Sequence, residues 1–165
     1  MDLRELFVKN LGELLSVEAT LAGEVLPQLV EQSTNDKLRE ALSDHIPQTR
    51  EHVERIERAF ARLGARPKPE TSEVLPALRR QHDLLVERVD DPTLRDLVVA
   101  SSAAHTEHHE ISAYHAVISL AVGLGEPDVV HELEQNLHEE EEALEKVEKS
   151  VPERLLGELA QREAD

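Results

Sequence analysis

Residues 105–115 read "HTEHHEISAYH", placing four histidines and two glutamates within eleven positions. Which of the six point inward decides what kind of molecule this is. A helix turns about 100° per residue. On that wheel Glu107, Glu110 and Tyr114 share a face with Leu97, Ala104, Ile111, Ile118 and Ala121. His108 and His115 flank the face, and His105 and His109 point away. The conspicuous histidines are therefore peripheral, and two carboxylates interrupt an apolar stripe.

Outward from this stretch the punctuation is that of long helices. "DDPT" (90–93) supplies an Asp cap with Pro92 at the first helical position, and "GLGEP" (123–127) predicts a tight reversal into a last long helix ending near Ser150. On the N-terminal side a first helix of about residues 3–31 meets "EQSTNDK" (31–37), a run of N-cap candidates. A second helix then runs to Gly64, the Pro-rich "GARPKPETS" (64–72) links onward, and a third segment covers about 73–89. No strand alternation occurs. Two hairpins of long helices joined by a crossover with its own short helix predict an all-α, ferritin-like four-helix bundle over residues 1–150. Residues 151–165 are expected to form a short amphipathic helix and tail, with Val151, Leu155, Leu156 and Leu159 on one side.

Composition narrows the function. Among 165 residues aromatics are only 2%, so the core must come from Leu, Val, Ile and Ala, a mix that favours helices. With 18 basic and 35 acidic side chains the net charge of −17 repels phosphate backbones and anionic lipid. Nucleic acid and membrane are thus not expected partners, and cations are. The absence of cysteine excludes disulfides, thiolate metal sites, a rubredoxin-like centre and cysteine nucleophiles. No run of eighteen apolar residues occurs, so a cytoplasmic location is expected.

The other stripes carry the same interruption. Phe7, Leu11, Leu14, Leu15, Leu21, Ala22, Val25 and Leu29 define the first helix's face, with Glu18 at its centre. In the second helix Leu38, Leu42, Ile56, Phe60 and Leu63 alternate with His45, Thr49 and His52, and Gln48 sits on the margin. The last helix shows Val129, Leu133, Leu137, Leu144 and Val147 around Glu140. Counted from the two hairpin turns, all these polar groups fall at one depth near mid-bundle. A lone inward Glu is commonly protonated or paired with arginine, and "HEEEEALE" (138–145) is otherwise a solvated face. Four carboxylates in one dry layer need compensation, and one or two divalent cations are the natural partner. Tyr114 is expected to be a core phenol bonded to a carboxylate.

At these residues the chain resembles the ferritin-like stress-response proteins of YciE/YciF type, relatives of rubrerythrin and the bacterioferritins. "ELLSVEATL" (13–21) is similar to their first-helix motif. "DHIPQTREHVERIE" (44–57) resembles their "HLEET" region, "TEHHEISAY" (106–114) their "EHYEIASY", and "LEQNLHEEEEAL" (133–144) their last glutamate run. The resemblance implies a homodimer, expression under stress and a di-metal layer. Carried over residue by residue, its ligands would be Glu18, His45, His52, Glu107, Glu110 and Glu140. Iron or manganese suits oxygen and imidazole donors, with zinc as an alternative, at up to two ions per chain. The expected activity is ferroxidase or peroxide chemistry of an oxidoreductase. Two departures favour a different reading, a non-enzymatic helical stress protein with a degraded site acting through dimerisation or a partner. Gln48 stands where "HLEET" has a glutamate, and Ala143 stands three residues after Glu140, where Glu-x-x-His would put histidine.

Overall fold

The computed structural model describes residues 1–150 together with residues 157 and 159–161. It contains α1 (Leu3–Thr20), a π-helical turn (Leu21–Val25), α2 (Leu26–Gln32), α3 (Asp36–Arg62), α4 (Val74–Val86), α5 (Pro92–Leu124) and α6 (Pro127–Ser150). No strand occurs among the described residues.

The caps explain where the chain turns. Asp2 and Glu5 close a capping box on α1. Asn35, one of the four candidates in its run, accepts from the Leu38 N–H at 3.0 Å and starts α3. Asp91 accepts from the Thr93 and Leu94 N–H groups and starts α5, with Pro92 in the first turn. At the α5–α6 reversal Gly125 has φ 74°, a left-handed value that costs glycine nothing. The expected first helix is helical throughout from Leu3 to Gln32 but not of one type. Pro27 has no N–H to bond the Gly23 carbonyl, and its ring crowds that carbonyl, so the preceding turn widens to π geometry.

Around the bundle α1 packs on α3 and α5, and α6 packs on the same two, so α1 lies diagonal to α6 and α3 diagonal to α5. The α4 crossover lies against α5. Its leading strap crosses α1 at Gly12, whose carbonyl accepts from the Glu70 N–H at 2.9 Å. A Cβ at Gly12 would sit 2.5 Å from the Lys68 carbonyl oxygen, so only glycine admits the strap this closely.

Two apolar clusters fill the interior. One is built around Phe7, Leu11, Ile56, Phe60, Val117 and Leu133, the other around Leu21, Leu26, Leu38, Leu42, Val99 and Val147. The expected stripes hold for α1 to α3. In α5 the buried line runs through Ala103, Glu107, Glu110, Tyr114, Val117 and Ala121, while Leu97, Ala104, Ile111 and Ile118 are only partly buried. That line lies about one residue from the expected one, toward the flank that α4 covers, where His82 meets Ser102, and away from Ala104, Ile111 and Ile118. His108 and His115 are consequently exposed rather than flanking, and His109, expected to point away, is half-buried. In α6 the buried series is Val129, Leu133, Asn136, Glu140, Ala143 and Val147, with Leu137 and Leu144 at the margin. The expected C-terminal helix falls largely outside the described residues; of its apolar side only Leu159 is described, and it is buried.

Candidate metal centre

Between the two apolar clusters lies a polar layer contributed by all four long helices. Glu18 comes from α1, His45, Thr49 and His52 from α3, Glu107 and Glu110 from α5, and Glu140 from α6; all seven are buried. They meet because 3.6 residues per turn puts His45, Thr49 and His52 on one line of α3, and Glu107, Glu110 and Tyr114 on one line of α5.

The layer has two halves that share Glu140. In one, the donor atoms of Glu18, His52 and Glu140 lie within 4.8 Å of one another, and in the other those of His45, Glu107 and Glu140 do the same. His52 Nδ1 is 2.8 Å from Glu140 Oε1 and 3.3 Å from Glu18. His45 Nε2 is 3.2 Å from Glu140 Oε2 and 3.5 Å from Glu107 Oε2. Ligands bonded at about 2.0–2.2 Å to one ion stand about 3 Å apart, so these separations fit the edges of a coordination shell. Glu110 joins the layer without entering either cluster of three.

Among the described residues, several buried atoms there have no hydrogen-bond partner outside the layer. Both oxygens of Glu110 have none at all, while His45 Nε2, Glu107 Oε2 and both oxygens of Glu140 meet only one another and His52 Nδ1. Buried polar atoms are almost always satisfied. Their concentration in one layer is therefore a property of the site and not scattered imperfection. The donor set of carboxylate oxygens and imidazole nitrogens fits iron, manganese or zinc.

Around these atoms stands a supporting shell that sequence reasoning missed. His52 Nε2 is 2.9 Å from Glu139 Oε2. Arg55 grips Glu139 with both terminal nitrogens, at 2.7 and 3.0 Å, and donates to Asn136 Oδ1 at 2.9 Å. Asn136 in turn donates to the Tyr114 hydroxyl at 3.0 Å, and that hydroxyl donates to Glu18 Oε1, as the sequence suggested for a core phenol. On the other side Gln48 Oε1 faces His45 Nδ1 at 3.2 Å. Gln48 thus touches the back of a histidine and not the centre of the layer. Thr49 occupies the central position three residues before His52, and its hydroxyl donates to the His45 carbonyl. A strict four-three count back from Glu140 would have put Asn136 inside, because 129, 133, 136, 140, 143 and 147 form that series. Arg55 and Glu139 carry no such signal, since they are charged residues at stripe margins.

Electrostatics follow from crowding four carboxylates with two imidazoles away from water. Burial pulls both histidines down, but the hydrogen bonds and charges of Glu107 and Glu140 outweigh it for His45 and push it up to about 11. For His52 the charge of Glu18 and the contacts of Glu140 do the same, up to about 10. Burial raises Glu18, Glu107 and Glu110, with Glu107 reaching about 8. Glu140 alone is held well below the usual range: burial opposes its ionisation, but the two imidazoles on either side more than compensate. Burial and the Glu18 charge push the Tyr114 phenol well up. No helix among the described residues is long and apolar enough to cross a membrane.

Comparison with known proteins agrees with this architecture. Over 139 residues the chain is 25% identical to protein YciF of Escherichia coli strain K12, covering 84% of this chain and 83% of that protein. The solved structure of YcfI from Rhodopseudomonas palustris superposes with a TM-score of 0.87 at 29% identity, covering 90% of this chain and 94% of that one. That of the Escherichia coli stress protein YciF gives 0.84 at 24% identity over 90% and 93%. Residues 2–160 match the family described as a domain of unknown function, DUF892. The chain belongs to this family, the YciE/YciF type.

Proposed function

We propose that the chain is a ferritin-like metal-binding protein whose layer holds up to two ions of iron or manganese through Glu18, His45, His52, Glu107, Glu110 and Glu140. The observation that carries this reading is the convergence of buried carboxylate and imidazole donors from α1, α3, α5 and α6 on two clusters that share Glu140, with Glu110 unpartnered beside them. Their desolvation is costly unless a cation compensates it. Glu140, with one oxygen toward each histidine, is the carboxylate that both halves would share. Glu110, with no hydrogen-bond partner among the described residues, would be available to either half. Zinc fits the same donors, with a preference for fewer of them.

Iron held there would exchange electrons with dioxygen or peroxide, which makes ferroxidase or peroxide handling the activity we assign. The protein's own part is to exclude water with the flanking apolar clusters, to aim His45 Nε2 and His52 Nδ1 at the layer, and to manage protons. In the absence of an ion, burial raises Glu107 to about 8 so that its carboxyl holds a proton near neutral pH, and the Tyr114 hydroxyl donates to Glu18 Oε1. A role in stress, carried from the likeness to the stress protein YciF, a cytoplasmic location and a homodimer complete the proposal. The exposed Leu84 and Leu85 of α4 support a protein contact.

A second reading, a non-enzymatic stress protein with a degraded site, is favoured by Ala143, which is buried where a ligating histidine would stand. The two separate on thermal unfolding of the chelated protein with and without ferrous iron or manganese. An ion that binds only the native state raises the melting temperature. A rise that disappears in Glu140→Ala supports the metal reading; no rise with either ion supports the second.

A further inference from the structure

The two halves of the layer are supported very differently. In the His52 half two of the three donor residues, His52 and Glu18, are held from behind. Arg55 grips Glu139, Glu139 faces His52 Nε2, and Nδ1 is thereby the nitrogen turned to Glu18 and Glu140. The same Arg55 holds Asn136, which holds Tyr114, which holds Glu18. One buried guanidinium thus anchors two donors through a continuous chain of hydrogen bonds. Among the described residues the His45 half is backed only by the neutral amide of Gln48 behind His45, Glu107 Oε2 meets only His45, and both Glu110 oxygens have no partner.

Resting on the metal reading above, we infer that the halves load in order: the first ion goes to Glu18, His52 and Glu140, the second to His45 and Glu107 beside the engaged Glu140, and Glu139 is the positioning residue that sets this order. Two physical effects act in the same direction. A carboxylate behind an imidazole raises its strength as a donor, whereas an amide does so less, and losing such a partner typically weakens metal binding about 10–100-fold. Donors already fixed lose less freedom on binding than donors that must first be ordered.

The test is a titration of the metal-free full-length chain with Co(II) under anaerobic conditions, followed by heat and by visible absorption. Repulsion between two ions would by itself separate two binding steps, so the assignment rests on variants of each half. His45→Ala should abolish the weaker step and keep the tighter, and His52→Ala should do the reverse. Glu139→Gln, which keeps an acceptor and removes the charge, should weaken the tighter step about 10–100-fold and alter its absorption band. Glu139→Asp should recover part of that loss by restoring the charge, and gives the same comparison if the Gln variant does not fold. Glu132→Gln, on the same helix as Glu139, removes ion pairs with Arg58 and Arg62 of α3 and should change neither step. Loss of the tighter step in His45→Ala, or an unchanged tighter step in Glu139→Gln, overturns the ordering while leaving metal binding intact. No binding by the wild-type chain overturns the metal reading itself, and the ordering with it.

Discussion

Glu140 lies between the two imidazoles of α3, with Oε1 2.8 Å from His52 Nδ1 and Oε2 3.2 Å from His45 Nε2. Their carboxylate partners push His45 up to about 11 and His52 up to about 10, so in the metal-free protein protons on both rings offset the Glu140 charge. Replacement of those protons by an ion is the chemical event on which the predictions below turn.

Glu110 gives the plainest stability prediction. Both of its oxygens are buried and bond to nothing, so Glu110→Leu strands no partner. In the chelated protein this change should stabilise the bundle by about 1–4 kcal/mol, as apolar replacement of buried ionic groups often does. Glu18→Leu should gain less, by about 1–3 kcal/mol, because it leaves the Tyr114 hydroxyl without its acceptor. Urea unfolding of both variants with chelator checks the order. Both should also reduce the stabilisation given by added metal.

Stability of the chelated protein should fall as pH rises. Folded values of about 8 for Glu107, 10 for His52 and 11 for His45 all exceed the reference values of 4.5 and 6.5. The folded state therefore keeps protons that the unfolded chain releases. The Glu107 contribution is complete below 4.5 and lost by about 8, and those of the histidines are complete below 6.5 and lost by about 10–11. Glu140 runs oppositely, its contribution present above 4.5 and lost toward acid. Calorimetric melting should decline between about pH 6 and about pH 9 with chelator, and less with metal. Metal uptake at neutral pH should release protons, readable as a buffer-dependent heat of binding.

Much of this site was legible in the sequence, and the misses have physical causes. Caps at Asn35, Asp91 and Gly125 are local chemistry, so the hairpins and the mid-bundle depth of Glu18 and Glu140 followed from counting residues. The π turn escaped because its cause, Pro27, acts on the turn before it. The phase of α5 shifted because the crossover helix covers one flank, a tertiary effect that no single-helix wheel contains. Arg55 and Glu139 look like surface charges until the pairing of α3 with α6 brings them together at 2.7 Å.

Gln48→Glu should strengthen the weaker half of the layer. The side chain faces His45 Nδ1 and not the centre, so the new carboxylate acts as a backing partner and not as a bridging ligand. We expect the weaker affinity to rise by about tenfold with the ion count unchanged. Calorimetric titration distinguishes this from an added ligand, which would change the stoichiometry.

The histidines that dominate residues 105–115 should be dispensable for metal. His105→Ala with His109→Ala should leave tightly held ions unchanged after dialysis, because His105 is exposed and half-buried His109 belongs to neither cluster of donors. His52→Ala should lower the retained metal. The opposite pattern would mean that a surface pair, and not the core, captures the ion.

The most direct measurement is the metal retained per chain, by elemental analysis, after the full-length protein is reconstituted with ferrous iron or manganese and dialysed. The account predicts about one to two ions per chain, lost together in Glu140→Ala because both halves share that carboxylate. Wild-type protein retaining far less than one ion per chain, or Glu140→Ala retaining as much as wild type, would contradict it.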